Sequence, residues 1–96
     1  MVIEDHTVLK NKANVYLNEL IYIKAEDHYL LLFTSKKKEF VRGKISEIIK
    51  ELPPNFVQTH RSYIVNKNLI TNISFQSVVL NGKIEIPLSR NFKKNI

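Results

Sequence analysis

The sequence predicts a mostly β domain, in which short antiparallel strands form small packed sheets around one short amphipathic helix. Three observations support this prediction. Many short segments are rich in the β-branched and aromatic residues that are typical of strands. A single segment, residues 44–52, instead repeats its apolar residues with the period of a helix. The two glycines and three prolines all fall at or near the ends of these segments.

The first half of the chain reads as strands and turns. Four segments have the composition of short strands: 7–17, 21–24, 29–34 and 39–42. Within the first of them, Asn11 and Lys12 favour a hairpin turn. The second and third are separated by the polar residues 25–28, and the run of lysines at 36–38 is typical of a solvated turn.

One helix is predicted over residues 44–52. Its apolar residues have the spacing i, i+3, i+4 and i+7: Ile45, Ile48, Ile49 and Leu52. The residue that opens the helix, Lys44, offers no capping oxygen, and Pro53 and Pro54 end the segment. A helix of about two and a half turns is marginal alone, so we expect it to pack on a sheet.

The second half contains four further β-type segments, at 56–59, 63–65, 69–75 and 78–86. The last is a hairpin around Asn81 and Gly82. A two-residue turn there would place Val78 opposite Glu85, whereas a three-residue loop brings the apolar residues of both strands onto one face. Because register follows the buried face, we predict the three-residue loop, with Gly82 in the left-handed region. Pro87 then ends the strand.

Composition excludes several classes of function. Ninety-six residues make one domain, and the absence of cysteine excludes disulfides, thiol nucleophiles and cysteine-bound zinc. With only Gly43 and Gly82, the chain has no glycine-rich phosphate loop, and Ser62 lacks the surroundings of a catalytic serine. No cofactor, metal site or catalytic residue is predicted. Since no membrane segment or signal pattern is visible, the sequence predicts a cytoplasmic protein that does not contact the membrane.

The net charge of +6 is concentrated in the second half. Residues 1–52 hold nine Lys/Arg against eight Asp/Glu, whereas residues 53–96 hold six Lys/Arg against Glu85 alone. Arg61, in the polar centre His60-Arg61-Ser62, and Arg90 interrupt β-type sequence in this basic half. An arginine fork matches the O6 and N7 acceptors of guanine, and carboxylate partners are scarce here. The pattern favours nucleic-acid binding, although a small basic domain need not bind anything.

Several segments together resemble the LytTR DNA-binding domain, the output module of many bacterial response regulators. The most telling are FVQTHRSYIVN (56–66) and IPLSRNF (86–92). IYIKAEDHYLLLF (21–33) resembles an early strand-loop-strand of that family, and FVRGKISEIIKELPPNF (40–56) its short helix. SRNFKKNI (89–96) is similar to its C-terminal end, which implies a possible helical turn. Lys44 departs from the family, which often has a small polar cap at this position.

The resemblance implies sequence-specific binding of double-stranded DNA by loops rather than by a recognition helix. It implies that His28 reads bases in one major groove and that Arg61 with Arg90 reads the next, along a duplex that bends. In isolation, a histidine that follows two acids, as His28 does, is more often a solvated loop residue than a site. A metal site is disfavoured because the consecutive residues 26–28 seldom converge on one ion. The residues expected at the DNA backbone are short polar side chains and lysines: Ser62, Ser89, Asn91, Lys93 and Lys94. His60 is expected to support its loop from within.

The resemblance also implies a longer parent protein. Members of the family usually carry an N-terminal receiver domain whose phosphorylation promotes dimerisation on repeated DNA sites. We therefore expect these residues to be the C-terminal domain of such a regulator, with a stand-alone regulator as the alternative, and to form a homodimer on DNA. Two alternatives remain open. One is a small RNA-binding protein, although most of the aromatic residues fall within apolar strand patterns. The other is a basic module that binds an acidic protein.

Overall fold

The computed structural model describes residues 6–7 and 15–96, which are dominated by antiparallel strands. In chain order the strands and the α-helix are β1 His6–Thr7, β2 Val15–Tyr16, β3 Leu20–Glu26, β4 Tyr29–Thr34, β5 Lys38–Arg42, α1 Ile45–Ile48, β6 Phe56–His60, β7 Tyr63–Asn66, β8 Ile70–Ile73, β9 Ser77–Leu80 and β10 Ile84–Pro87. Short 3-10 segments occupy Leu17–Glu19, Ile49–Glu51, Lys67–Leu69 and Arg90–Asn95. The predicted mostly β class and the C-terminal helical turn are confirmed.

Two main sheets form the body of the domain. The larger has the strand order β5-β4-β3-β7-β6, and the smaller has the order β10-β9-β8. β1 and β2 form a separate antiparallel pair in which Thr7 lies opposite Val15. All of the strand pairs are antiparallel, because most neighbours are joined by short turns. The predicted hairpin turn at Asn11 and Lys12 lies outside the described residues.

The larger sheet is covered on both faces, so its central strands carry apolar residues in both directions. In β7, Ile64 points into a cluster with the helix, whereas its neighbour Val65 points into a cluster with the smaller sheet; both are 0% exposed. Successive side chains of a strand point to opposite faces, so adjacent apolar residues serve two cores. The molecule therefore has three layers: the helical segment, the larger sheet and the smaller sheet.

The helical segment is shorter than the sequence predicts. Residues 45–48 form one α-helical turn, and the chain then tightens into the 3-10 segment Ile49–Glu51. As expected, Lys44 provides no side-chain cap. The predicted apolar stripe does pack on the sheet, since Ile45 and Ile48 are buried. Among the described residues, no helix has the length and apolar composition that crossing a bilayer requires.

Two predicted strand boundaries are wrong for local reasons. Half of the polar segment 25–28 is strand: Ala25 and Glu26 continue β3, and only Asp27 and His28 form the turn. The predicted strand 69–75 is confined to β8. The Asn66 side chain accepts a hydrogen bond from the Asn68 amide (3.0 Å) and so starts a 3-10 segment.

The predicted three-residue loop of the last hairpin is confirmed. Leu80 pairs with Ile84 and Val78 with Ile86, which leaves residues 81–83 in the loop. Gly82 has a φ of 72°, in the left-handed region. Asn81 also has a positive φ, 54°, which asparagine tolerates better than most residues.

The smaller core contains a tyrosine whose ionisation is linked to folding. Tyr22 stacks on Phe33 with ring centroids 4.3 Å apart, and Tyr63 lies 6.3 Å away. Burial, and secondarily the neighbouring Tyr63, raise the pKa of Tyr22 above its ordinary value. The folded state therefore holds this proton more tightly than the unfolded state does. The contribution of this group to stability is complete below the unfolded pKa of about 10 and is lost as the pH rises through the raised value.

We therefore expect Tyr22→Phe to reduce the alkaline loss of stability. Thermal melting of both proteins at pH 8 and at successive values above pH 10 measures this loss. Equal losses in the two proteins would show that Tyr22 ionisation is not linked to unfolding.

Candidate nucleic-acid interface

The polar turns that interrupt the β-type sequence meet at one end of the larger sheet. The turn Asp27–His28 joins β3 to β4, and the turn Arg61–Ser62 joins β6 to β7. Because β3 pairs antiparallel with β7, the end of β3 lies beside the start of β7, and the Ala25 amide donates to the Ser62 carbonyl (2.8 Å). The sheet therefore brings together residues that are more than thirty positions apart in the sequence.

The C-terminal segment 89–95 joins this end of the sheet along the free edge of β6. The Ser89 amide donates to the Thr59 carbonyl (2.9 Å), and the Asn95 side chain donates to the Gln58 carbonyl (2.8 Å). The two turns and this segment together form what we call the loop edge. Along it, the strand order places His28, Arg61 and Arg90 in a row.

His60 supports its turn, as expected. Its Nδ1 accepts a hydrogen bond from the Ser62 amide (3.1 Å), and its ring lies edge-on to Tyr63 with centroids 5.7 Å apart. The Gln58 side chain donates to the His60 carbonyl (3.1 Å) beside a register shift in β6. These contacts hold the backbone on both sides of Arg61, whose own side chain is exposed.

The other turn is held through its backbone. The His28 carbonyl accepts from the Gly43 amide (3.0 Å), and Asp27 has a φ of 56°. The His28 side chain is exposed. Within the described part of the chain, His, Asp and Glu residues do not gather into a group that could hold a metal ion.

The predicted backbone-contacting residues share the loop edge. Ser62 lies in the β6–β7 turn, and the rest lie on the C-terminal segment: Ser89, Asn91, Lys93 and Lys94. Asn91 and Lys94 are exposed, whereas Ser62, Ser89 and Lys93 are half-buried. Lys93 is oriented by an aromatic ring, since its Nζ lies 3.9 Å from the centroid of Phe75.

Two open clefts adjoin the arginines. The Arg90 cleft, of about 290 Å³, is lined by His60, Phe75, Gln76, Ser89, Arg90 and Lys93 among others. The Arg61 cleft, of about 310 Å³, is lined by Asp27, Lys44, Ser46, Gln58 and Arg61 among others. Sequence reasoning missed Lys44, Gln58, Phe75 and Gln76. Lys44 had a signal, a cation directly after Gly43, but it was interpreted only as the missing helix cap.

The two arginines of the loop edge, Arg61 and Arg90, have no ion-pair partner among the described residues, although Asp27 lines the Arg61 cleft. The two ion pairs seen in the described residues involve the predicted solvated lysine turn, where Lys36 meets Glu19 (3.1 Å) and Lys37 meets Glu39 (3.0 Å). That turn joins β4 to β5 and so lies at the opposite end of the sheet. The cations of the loop edge are thus available to an external anion.

The aromatic residues are less buried than their sequence pattern suggests. Four of the nine Phe and Tyr side chains are exposed: Tyr16, Tyr29, Phe40 and Phe75. The argument against RNA binding from aromatic burial is therefore weaker than the sequence implied. The fold and the loop edge define a small β domain whose exposed arginines lie on turns and on the C-terminal segment rather than on an α-helix.

Comparison with known proteins identifies this domain. The sequence profile of the LytTr DNA-binding domain matches residues 10–96. The chain belongs to the LytTR family of DNA-binding domains. Membership of this family points away from an enzyme, and the RNA-binding alternative is not favoured.

Individual relatives agree with this assignment. The chain is 33% identical over 85 residues to an uncharacterized response regulatory protein of Vibrio cholerae, with 79% of this chain and 33% of that protein covered. It is 29% identical over 98 residues to the sensory transduction protein LytT of Enterococcus faecalis, with 95% of this chain and 38% of that protein covered. The chain thus spans between a third and two fifths of the length of these relatives.

A solved structure shares the fold. It is the LytTr DNA-binding domain of a Bacillus cereus protein described as a methyl-accepting/DNA response regulator. The TM-score is 0.76 at 22% sequence identity, and the match covers 85% of this chain and 81% of that one. The LytTR-like arrangement of strands expected from the sequence is therefore confirmed.

Proposed function

We propose that the domain binds specific duplex DNA sequences through its loop edge, as the output module of a two-component response regulator. The observation that carries this proposal is the row of His28, Arg61 and Arg90 along one edge, where the two guanidinium groups have no ion pair among the described residues. Family membership supports the class of ligand, and the row supports the choice of surface. A catalytic role has no residues to support it.

In this proposal the row reads base edges, while the residues around it hold the backbone. Arg61 and Arg90 are exposed and can each present a fork to guanine, and His28 can donate to a base acceptor from the neighbouring turn. The backbone contacts come from Ser62, Ser89, Asn91, Lys93 and Lys94. Lys44, which lines the Arg61 cleft, extends the same positive surface.

The length of the row formed by His28, Arg61 and Arg90 determines how it can be placed relative to the major grooves of DNA. The two turns are separated by two strand spacings, or about 10 Å. Segment 89–95 lies one further step beyond β6. Successive major grooves on one face of B-DNA are about 34 Å apart. The row is shorter than this spacing. If His28 serves one major groove and Arg61 with Arg90 the next, bending of the duplex toward the protein would shorten the gap, and deformable steps between the grooves would then contribute to specificity.

The relatives suggest the context of the domain. Their names describe response regulation and sensory transduction, and they are much longer than this chain. We infer a receiver domain in the parent protein, a cytoplasmic location where chromosomal DNA is reached, and a homodimer on repeated DNA sites. Sedimentation on duplexes that carry one or two copies of the selected site tests the dimer, because a monomeric domain would load the two copies independently.

Selection of bound fragments from random duplex DNA tests the central proposal. A recurring motif is the expected outcome, and competition with shuffled duplex and single-stranded RNA measures its specificity. Equal binding to shuffled duplex would reduce the proposal to non-specific DNA binding. Preference for single-stranded RNA, or binding only to an acidic protein, would replace it by one of the two alternatives.

Binding should depend strongly on salt, because lysines and arginines that contact phosphates release counterions. If about four to six phosphates are neutralised, the logarithm of the affinity should fall with the logarithm of salt concentration at a slope of roughly −4 to −5. Fluorescence anisotropy on the selected duplex between low and physiological salt gives this slope. A flat response would mean that no phosphate-tracking surface exists.

A further inference from the structure

The turn between β8 and β9 displays a phenylalanine on a firmly held backbone. Phe75 is 73% exposed, the largest exposure among the large hydrophobic side chains of the described residues. The Ser74 amide donates to the Ser77 carbonyl (2.8 Å), and the two serine hydroxyls lie 2.9 Å apart. The Gln76 carbonyl accepts from the Leu88 amide (2.8 Å), which ties this turn to the chain entering the C-terminal segment. These hydrogen bonds fix the turn backbone and so hold Phe75 in an exposed position.

The surroundings of Phe75 are positively charged on one side. Lys93 Nζ lies 3.9 Å from the ring centroid, a cation–π contact, and the same ring lines the Arg90 cleft with His60 and Arg90. The residues that line this cleft include no carboxylate. On its other side, the ring borders a shallow recess of about 550 Å³ that contains Glu85. Phe75 therefore marks the boundary of the cationic surface.

A ligand that fits this site has an apolar group only a few ångströms from a negative charge. The sugar–phosphate backbone of DNA has this chemistry, since each deoxyribose adjoins its phosphate. We propose that Phe75 packs against a deoxyribose ring of the bound duplex while it holds Lys93 at the adjacent phosphate. This proposal rests on the proposed function, and it adds an uncharged residue, Phe75, to the proposed DNA-contacting surface. Sugar and phosphate recur under every base, so the contact strengthens binding without reading sequence.

Three variants test the proposal by fluorescence anisotropy on the selected duplex and on shuffled duplex. Phe75→Ala should weaken binding to both about five- to tenfold, as expected for loss of a partly buried apolar contact. Phe75→Leu, which keeps an apolar side chain, should retain most of the affinity. Phe40→Ala is the matched control, because Phe40 is 61% exposed but lies on β5, the edge strand opposite β6. It should bind like the unmodified domain.

Salt dependence separates this role from that of a charged contact. Phe75→Ala removes no charge and should keep the slope, whereas Lys93→Ala should reduce it by about one. In a Lys93→Ala background, Phe75→Ala should cost less than it does alone, because the two side chains act together. Equal thermal melting of the variants excludes a folding defect, and none is expected because Phe75 is exposed.

The failure of this inference can be distinguished from failure of the proposed function. If Phe75→Ala binds normally while Arg90→Ala loses affinity, the sugar contact is wrong and the loop edge stands. If Phe75→Ala loses only the selected sequence, the ring contacts a base and the sugar assignment is overturned. If the unmodified domain binds no duplex DNA, both proposals fall together.

Discussion

Replacing Ile48 by aspartate is expected to lower the free energy of unfolding by about 3 kcal/mol or more. Ile48 is 5% exposed and belongs to the core cluster between the helical segment and the larger sheet, with Leu30 and Val41 among its members. A carboxylate there must either lose its hydration or push the helical turn away from the sheet. Since the α-helical part is a single turn, it has little hydrogen bonding of its own to resist this.

Ser46→Asp is the matched control for Ile48→Asp. It adds the same charge two residues away, on an exposed position of the same turn, and should change stability by no more than about 0.5 kcal/mol. Urea unfolding followed by circular dichroism measures both variants. If Ile48→Asp unfolds cooperatively with the stability of the Ser46→Asp protein, the helical turn does not pack as the structure shows.

The elements that the sequence predicts correctly are those whose buried face decides their register. In the last hairpin, only a three-residue loop puts Val78, Leu80 and Ile86 on one side, and the structure buries all three. The helical stripe follows the same logic, because its apolar spacing identifies the face that meets the sheet. A buried face is formed by many residues together, so the spacing of apolar residues along the sequence predicts it well.

The boundaries that the sequence predicts wrongly depend on single hydrogen bonds. Asn66 starts a 3-10 segment by one side-chain contact, and Ser74 with Ser77 closes the turn that ends β8 early. In the helical segment, the lack of a cap and the approaching prolines leave only one α-helical turn. Such local competition between side chain and backbone carries no periodic signal.

For the candidate site, the sequence likewise predicts some of the residues but not their arrangement in space. Residue types identified Arg61 and Arg90 as members of a cationic surface, but their arrangement in a row with His28 follows from the pairing of β3 with β7 and from the docking of segment 89–95 on β6. Phe75 was missed because it reads as the end of a strand. Its exposure is decided by the turn that carries it, which alternation of residue types does not reveal.

Alanine substitution of Arg61 or Arg90 should affect DNA binding differently from alanine substitution of Lys93. Arg61→Ala or Arg90→Ala removes a possible bidentate contact with guanine, so each should cost about 1–3 kcal/mol on the selected site and relax the preference at one or two base pairs. Lys93→Ala removes a phosphate contact and should weaken selected and random DNA alike. The contrast follows from geometry, because a fork distinguishes guanine from adenine, whereas an ammonium group at a phosphate meets the same charge under every sequence.

Competition with single-base variants of the selected site measures these differences. The order of the row makes the test sharper: base pairs affected by His28→Ala should lie toward one end of the site, and those affected by Arg90→Ala toward the other. Lys36→Ala is the control, because Lys36 is exposed and lies at the opposite end of the sheet; it should leave both affinity and preference unchanged. If the arginine variants lose selected and random DNA in equal proportion, they contact phosphates rather than bases. The loop edge would then bind DNA through charge, and its specificity would have to come from His28 or from the bending of the duplex.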